Sequence, residues 1–357
     1  MIDSGKYLDE LLLAAAQNGA SDLHLSPATY PTLRVDGRLI PLVNHEILTT
    51  EILKELVMSL LGPERQARFL SEKEIDFSLE LTGGNRYRVN VYQVREAYAA
   101  TLRLIPNQVK TLEDLKLPSI LRIFTKLSQG FVLIVGPNGH GKSTTLASLI
   151  DIINKERGEK ILTVEDPIEY IFTPEKSIID QREVYQDTLS FNKALRSALR
   201  EDVNVIMIGD LRDYETMSAA VTAAETGHLV FAALHTNSAS QTIERIIDSF
   251  PPNQQPQIRN QLSATLSGVV SQRLIPRIQG GLVPAVEVMI ATTAVRTLIR
   301  DNKPRQLDQT IETSQDIGMI SMDRSLADLV RRKEISLERA EFYSINPQNL
   351  RGYNNGI

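Results

Sequence analysis

A chain in which an apolar strand runs into a glycine loop and then into a helix has few folds open to it, and residues 131–153 have that layout. Phe131-Val132-Leu133-Ile134-Val135 is an apolar block suited to a strand buried on both faces, and Leu146, Leu149, Ile150 and Ile153 recur at helical spacing. Between them, Gly136-Pro137-Asn138-Gly139-His140-Gly141-Lys142-Ser143-Thr144 fits the pattern G-x-x-x-x-G-K-[ST]. The glycines of such a loop let backbone N–H groups turn inward around phosphate oxygens, and the start of the helix adds partial positive charge. Lys142 is then the candidate for the β- and γ-phosphates of a nucleotide, and Ser143 offers a hydroxyl to Mg²⁺.

The 357 residues suggest two or three domains with real cores, and the absence of cysteine removes disulfides, thiolate zinc sites and cysteine nucleophiles together. A net charge of −5 argues against a dedicated nucleic-acid binder, although a local basic channel stays open. The opening residues lack the layout of a signal peptide, and no apolar run approaches the roughly 20 residues of a membrane span. The expectation is a soluble, unexported protein.

Along the chain, residues 1–105 alternate helix-like and strand-like patterns. Tyr7 to Gln17 and Thr50 to Leu61 read as helices, Leu23-His24-Leu25 and Thr32 to Val35 as strands, and Asp36-Gly37 as a hairpin turn. Arg86 to Tyr92 alternates strictly, with Tyr87, Val89 and Val91 on one face and Arg86, Arg88 and Asn90 on the other. Residues 106–118 read as a linker closed by Pro118. Beyond it, Phe131–Val135, Ile161–Val164, Val205–Ile208 and Leu229–Leu234 recur with helices between them, the mark of a parallel sheet covered on both faces. Arg273–Ile278 and Val283–Ile290 flank Gly280-Gly281 as a hairpin, helices follow from about residue 292, and residues 351–357 read as a frayed tail.

In open α/β sheets, ligands sit at the carboxyl ends of the strands, so the polar residues ending these runs are site candidates. Asp210, closing Val205 to Gly209, has the place of a Walker-B carboxylate on Mg²⁺; the alternative is a solvent-exposed strand-end aspartate. Glu165 is a candidate for polarising the attacking water, against a turn or capping carboxylate. His235 is a candidate γ-phosphate sensor, against a structural histidine. His228, after Gly227, fits local capping, and His24 and His45 fit packing. Arg196 and Arg200 are read as sharing one face of a helix from Leu195 to Leu199, as a solvated edge or as a phosphate or subunit contact.

These residues resemble the secretion ATPase superfamily, and most closely the type IV pilus retraction ATPases, the PilT-like motors. Ser21 to Leu25 with Val35-Asp36-Gly37 is similar to the family's N-terminal PAS-like domain, and Gly136 to Thr144 to its Walker A loop. Thr163 to Glu169 resembles its Asp box, leading through Gln181 to Val184 into Leu195 to Arg200, and Ala223 to Thr236 resembles its His box. Ala294 to Arg300 and Gly318 to Leu326 resemble segments of the retraction subgroup. The resemblance implies a PAS-like α/β domain at 1–105, a linker at 106–118 and a RecA-like core at 119–357 with C-terminal helices. It implies a cytoplasmic homohexamer, peripheral at the inner membrane face and working with an inner-membrane pilus platform protein, that couples Mg²⁺-dependent ATP hydrolysis to pilus retraction and twitching motility. Within that ring Glu165 would be the base and His235 the sensor, with arginines among Arg86, Arg88 and Arg103 completing the site. Assembly ATPases of the superfamily commonly carry a four-cysteine zinc motif, so a chain without cysteine favours retraction and no zinc.

Two positions depart from the family. The family usually has glutamate where Asp210 stands; aspartate is one methylene shorter, so its oxygens fall back by roughly 1.5 Å, a shift that can cost about 10²-fold in a positioned site. Either the backbone compensates or turnover is weakened, and a nucleotide-binding regulatory ring is the second reading. A nucleic-acid translocase on the same core is a third. His140 stands where a small residue is usual, tolerable in a loop that binds through its backbone.

Overall fold

The structure, a computed structural model, describes residues 4–35, 37–81, 85–105 and 108–354. The chain forms two compact units, Met1–Gln108 with Asp166–Ile171, and Val109–Glu165 with Phe172–Ile357.

Among the described residues, the first unit is an antiparallel sheet with two helices, Ser4–Gln17 and Thr50–Glu72. Its strands are β1 (Asp22–Leu25), β2 (Thr32–Val35), β3 (Arg38–Pro41), β4 (Glu74–Leu81), β5 (Asn85–Val94) and β6 (Ala97–Ile105), in the order β3-β2-β1-β6-β5-β4. Strand β5 buries Tyr87, Val89 and Val91 and leaves Arg86, Arg88 and Asn90 half-exposed, as its alternation predicts. The hairpin between β2 and β3 closes with Val35 opposite Arg38; Gly37 has a φ of 80°, and Asp36 lies outside the described residues. The helix expected to stop at Leu61 resumes after a break at Gly62, because Pro63 falls where a new first turn tolerates a missing N–H.

In the second unit, seven strands among the described residues form one sheet. After β7 (Gly130–Val135), β8 (Lys160–Glu165), β9 (Ile178–Glu183), β10 (Val205–Ile208), β11 (Leu229–Leu234), β12 (Leu266–Pro276) and β13 (Leu282–Ile290), the order is β13-β12-β7-β11-β10-β8-β9. All neighbours are parallel except β12 and β13. Phe131, Leu133 and Val135 join a core with Met217, Ala220 and Val221 of helix Tyr214–Glu225. Val132 and Ile134, equally buried, point to the other face, and helix Lys142–Glu156 also packs on β7 and β11.

Several expectations need correction. The hairpin's first strand begins at Leu266, directly after helix Gln255–Thr265, not at Arg273. Helix Phe191–Ala198 ends before Arg200, so Arg196 and Arg200 do not share a helical face; both stand exposed. The polar stretch before Pro118 is ordered around Leu112, which is fully buried, with Thr111 Oγ1 accepting from Asp114 N over 3.1 Å; Pro106 and Asn107 lie outside the described residues. The expected tail at 351–357 instead begins as the last turn of helix Pro347–Asn354, which buries Leu350, and residues 355–357 lie outside the described residues. Among the described residues no helix is long and apolar enough to cross a membrane.

Candidate nucleotide site

The loop after β7 turns through Gly136, Gly139 and Gly141, with φ of 148°, 76° and 80°. Gly136 is required twice over, since a Cβ there would sit 2.3 Å from the backbone oxygen of Gln272 on β12. Gly141 precedes helix Lys142–Glu156, whose first-turn N–H groups have no partner within the helix and face an arriving anion. Pro137 and His140 are partly buried, Asn138 and Gly139 exposed, and Ser143 and Thr144 partly buried at the helix start.

Lys142 is buried, and its Nζ donates to Gly136 O and Pro137 O at 2.9 Å and to His235 Nδ1 at 3.1 Å. An ammonium can only donate, so Nδ1 of His235 accepts and Nε2 carries the ring hydrogen. That Nε2 donates to Asp210 Oδ2 over 3.0 Å, and Arg212 Nε donates to the same oxygen over 2.8 Å. Asp210 Oδ1 is buried with no hydrogen-bond partner among the described residues. A buried carboxylate oxygen without a donor is costly unless a cation or a cation's water takes it.

Glu165, at the end of β8 and 5% exposed, accepts from Thr163 Oγ1 over 2.7 Å and from Gln181 Nε2 over 3.4 Å. Thr163 reaches it because residues two apart on a strand share a face. Gly209, the residue before Asp210, lies beside it: a Cβ there would be 3.3 Å from Glu165 Cα. Asp213 closes this turn by accepting from Thr216 N over 2.7 Å, which starts helix Tyr214–Glu225.

The core unit thus brings Lys142, His235 and Asp210 into one hydrogen-bonded line with Glu165 on the neighbouring strand. Such a line beneath a phosphate loop calls for comparison with known nucleotide-driven proteins. The family described as Type II/IV secretion system protein matches residues 4–317.

The chain belongs to this family.

Among its relatives, the Type IV pilus retractation ATPase PilT of Pseudomonas aeruginosa is 43% identical over 96% of this chain and 99% of its own. The Twitching motility protein of Neisseria gonorrhoeae is 44% identical over 90% of this chain and 86% of its own. The crystal structure of the pilus retraction motor PilT with bound ADP superposes with a TM-score of 0.89 at 43% identity, covering 96% of this chain and 98% of that one. The ATPase DotB of Legionella pneumophila gives 0.82 at 29% identity, covering 95% of each.

The arginines expected near the nucleotide in this family divide between the units. Arg86, Arg88 and Arg103 belong to the first, where Arg86 pairs with Ser78, Arg88 reaches Asp76 at 3.2 Å and Glu169 at 3.4 Å, and Arg103 donates to Asp22 over 2.7 Å. His228 closes helix Tyr214–Glu225 by donating from Nδ1 to Ala223 O over 2.9 Å. His24 is half-buried beside Thr101, and the His45 ring sits 5.7 Å from that of Tyr7.

Sequence reasoning passed over Arg212, Thr163, Gln181 and Gln272 as parts of the site. Thr163 had a signal in its two-residue spacing from Glu165; Gln272 had none, because its partners lie more than 100 residues away.

Proposed function

We propose that this chain is the subunit of a homohexameric motor that couples ATP hydrolysis to type IV pilus retraction and so to twitching motility; an ATPase of pilus retraction and a twitching motility protein are what the names of its relatives state for them. The observation that carries this reading is the line from Lys142 through His235 to Asp210, beside the buried Glu165 and under a phosphate loop. On this reading the PAS-like domain spans 1–105 and the RecA-like core 119–357, joined by 106–118. The partners are other copies of the chain and an inner-membrane pilus platform protein, at the cytoplasmic face of the membrane.

The residues present suit Mg²⁺, which keeps most of its waters and takes few protein ligands: Ser143 Oγ and Asp210, whose Oδ1 lacks a donor among the described residues. When bound, Mg²⁺ neutralises charge on the β- and γ-phosphates. Loop N–H groups and Lys142 hold those phosphates, Lys142 exchanging Gly136 O and Pro137 O for phosphate oxygens. Glu165, oriented by Thr163 and Gln181, takes a proton from water as the water oxygen attacks the γ-phosphorus and the bond to ADP breaks. His235, between Lys142 and Asp210, registers the γ-phosphate through whichever neighbour it displaces. Arg86, Arg88, Arg103, Arg196 and Arg200 are candidates for completing the site.

The test is phosphate release by the purified chain with and without Mg²⁺, beside Lys142→Ala. Mg²⁺-dependent turnover that the substitution abolishes supports the reading. Nucleotide binding without turnover favours the regulatory ring, and stimulation by DNA would revive the translocase.

A further inference from the structure

The phosphate loop is held from behind by one strand. Leu274 N on β12 donates to His140 Nδ1 over 2.9 Å, and Gln272 Nε2 donates to His140 O over 2.8 Å. Thr145 Oγ1, in the first turn of the following helix, donates to Gln272 Oε1 over 2.7 Å. The Gln272 amide is 3% exposed and joins loop to helix with both of its ends. No slack remains between the two backbones: a Cβ on Gly141 would stand 2.9 Å from Gln272 Nε2, and one on Gly136 would meet Gln272 O.

We propose that His140 and Gln272 are positioning residues that hold the phosphate loop in its nucleotide-receiving shape, so that affinity falls when Nδ1 of His140 stops accepting from Leu274. The proposal rests on the nucleotide-site reading above. It gives the His140 side chain a task that a loop binding only through its backbone does not require. Imidazole protonated on both nitrogens presents an N–H to the N–H of Leu274, and the brace opens. The charged groups facing His140 are Lys142 from its own loop and Arg273 from β12, while Gln272, Leu274 and Thr145 carry no charge. Burial first, then Lys142 and Arg273, lower its pKa below the ordinary imidazole value. The brace therefore holds at neutral pH and is lost as pH falls through that lowered value.

The experiment measures the affinity of the full chain for a fluorescent ADP analogue from about pH 7.5 down to the lowest pH at which the chain stays folded. Wild type is compared with His140→Ala, His140→Asn and Gln272→Met. Removing one such hydrogen bond weakens binding about fivefold, so His140→Ala binds about fivefold more weakly than wild type at the upper pH, and Gln272→Met, which removes two, binds at least as weakly. Asparagine places an acceptor near Nδ1 without a titrating ring, so His140→Asn binds more tightly than His140→Ala. It also loses about fivefold less affinity than wild type on acidification. The analogue's phosphates and the rest of the site are the same in both chains, so the difference isolates His140. Parallel pH curves for wild type and His140→Asn, or unchanged affinity in both His140→Ala and Gln272→Met, overturn the proposal alone. A wild type that binds nothing at the upper pH overturns the nucleotide-site reading and the proposal with it.

Discussion

His235 and Asp210 end the neighbouring strands β11 and β10 and are joined by a 3.0 Å hydrogen bond from Nε2 to Oδ2, while Lys142 donates into the opposite nitrogen of the same ring. One imidazole therefore connects the group proposed to meet the phosphates with the group proposed for the metal. His235→Ala cuts that connection but leaves the loop N–H groups in place. Turnover is expected to fall on the order of 10²-fold, with ADP affinity reduced far less. Phosphate release and ADP titration of one preparation check the split.

Two donors already converge on Asp210 Oδ2, at 2.8 Å and 3.0 Å, so the surroundings are fitted to the shorter acid. Asp210→Glu pushes the carboxylate past both and is expected to turn over more slowly than wild type. Asp210→Ala, with no anion at all, is expected to be slower still, by on the order of 10²-fold. Rates at saturating Mg²⁺ and ATP rank the three chains; equal rates would remove Asp210 from the site.

Glu165→Gln keeps the shape that Thr163 and Gln181 hold but cannot take a proton. Binding of ATP is expected to survive while turnover drops by roughly 10² to 10⁴-fold. A competent rate in this variant returns Glu165 to the role of a turn carboxylate.

Glu287 on β13 is 4% exposed and accepts from Ala239 N over 2.7 Å at the start of helix Ala239–Asp248. Burial pushes its pKa up to about 7; Asp308 and Asp323 push the same way, against the Ala239 N–H and Arg273. Between the ordinary carboxylate value and about 7 the folded chain holds a proton that the unfolded chain has lost, so stability falls as pH rises through that window and then levels. The loss is on the order of 3 kcal/mol. Glu287→Gln keeps an acceptor for Ala239 and does not titrate. Its melting temperature is expected to gain on wild type between about pH 5 and about pH 8, and a constant difference would contradict the shift.

The central strands were legible because each is an apolar run bounded by turn residues. Phe131–Val135, Val205–Ile208 and Leu229–Leu234 need no partner information to be seen. Strand β9 was not, since Ile178-Ile179-Asp180-Gln181-Arg182-Glu183 is a polar edge that the sheet recruits by pairing with β8. The start of β12 was hidden because Thr265 passes from helix to strand with no turn residue between. In the candidate site, Lys142 was marked by the phosphate-loop pattern, and Glu165, Asp210 and His235 by their places after strands. Gln272 was not, because its role depends on β12 lying beside β7, a long-range pairing that local spacing does not encode.

Strand β12 also sets where this protein can gain or lose residues. Gln272 holds the loop, while its neighbours Ser271 and Arg273, on the other face, hold Asn237 O over 3.0 Å and Tyr343 O over 2.6 Å. One residue inserted before Ser271 would turn every one of these side chains to the wrong face. At the far end of the hairpin, Gly280 and Gly281 have open space around them, and added length there disturbs none of these contacts. Natural length variation and engineered tags alike therefore have a home at the Gly280-Gly281 turn and none in the first half of β12.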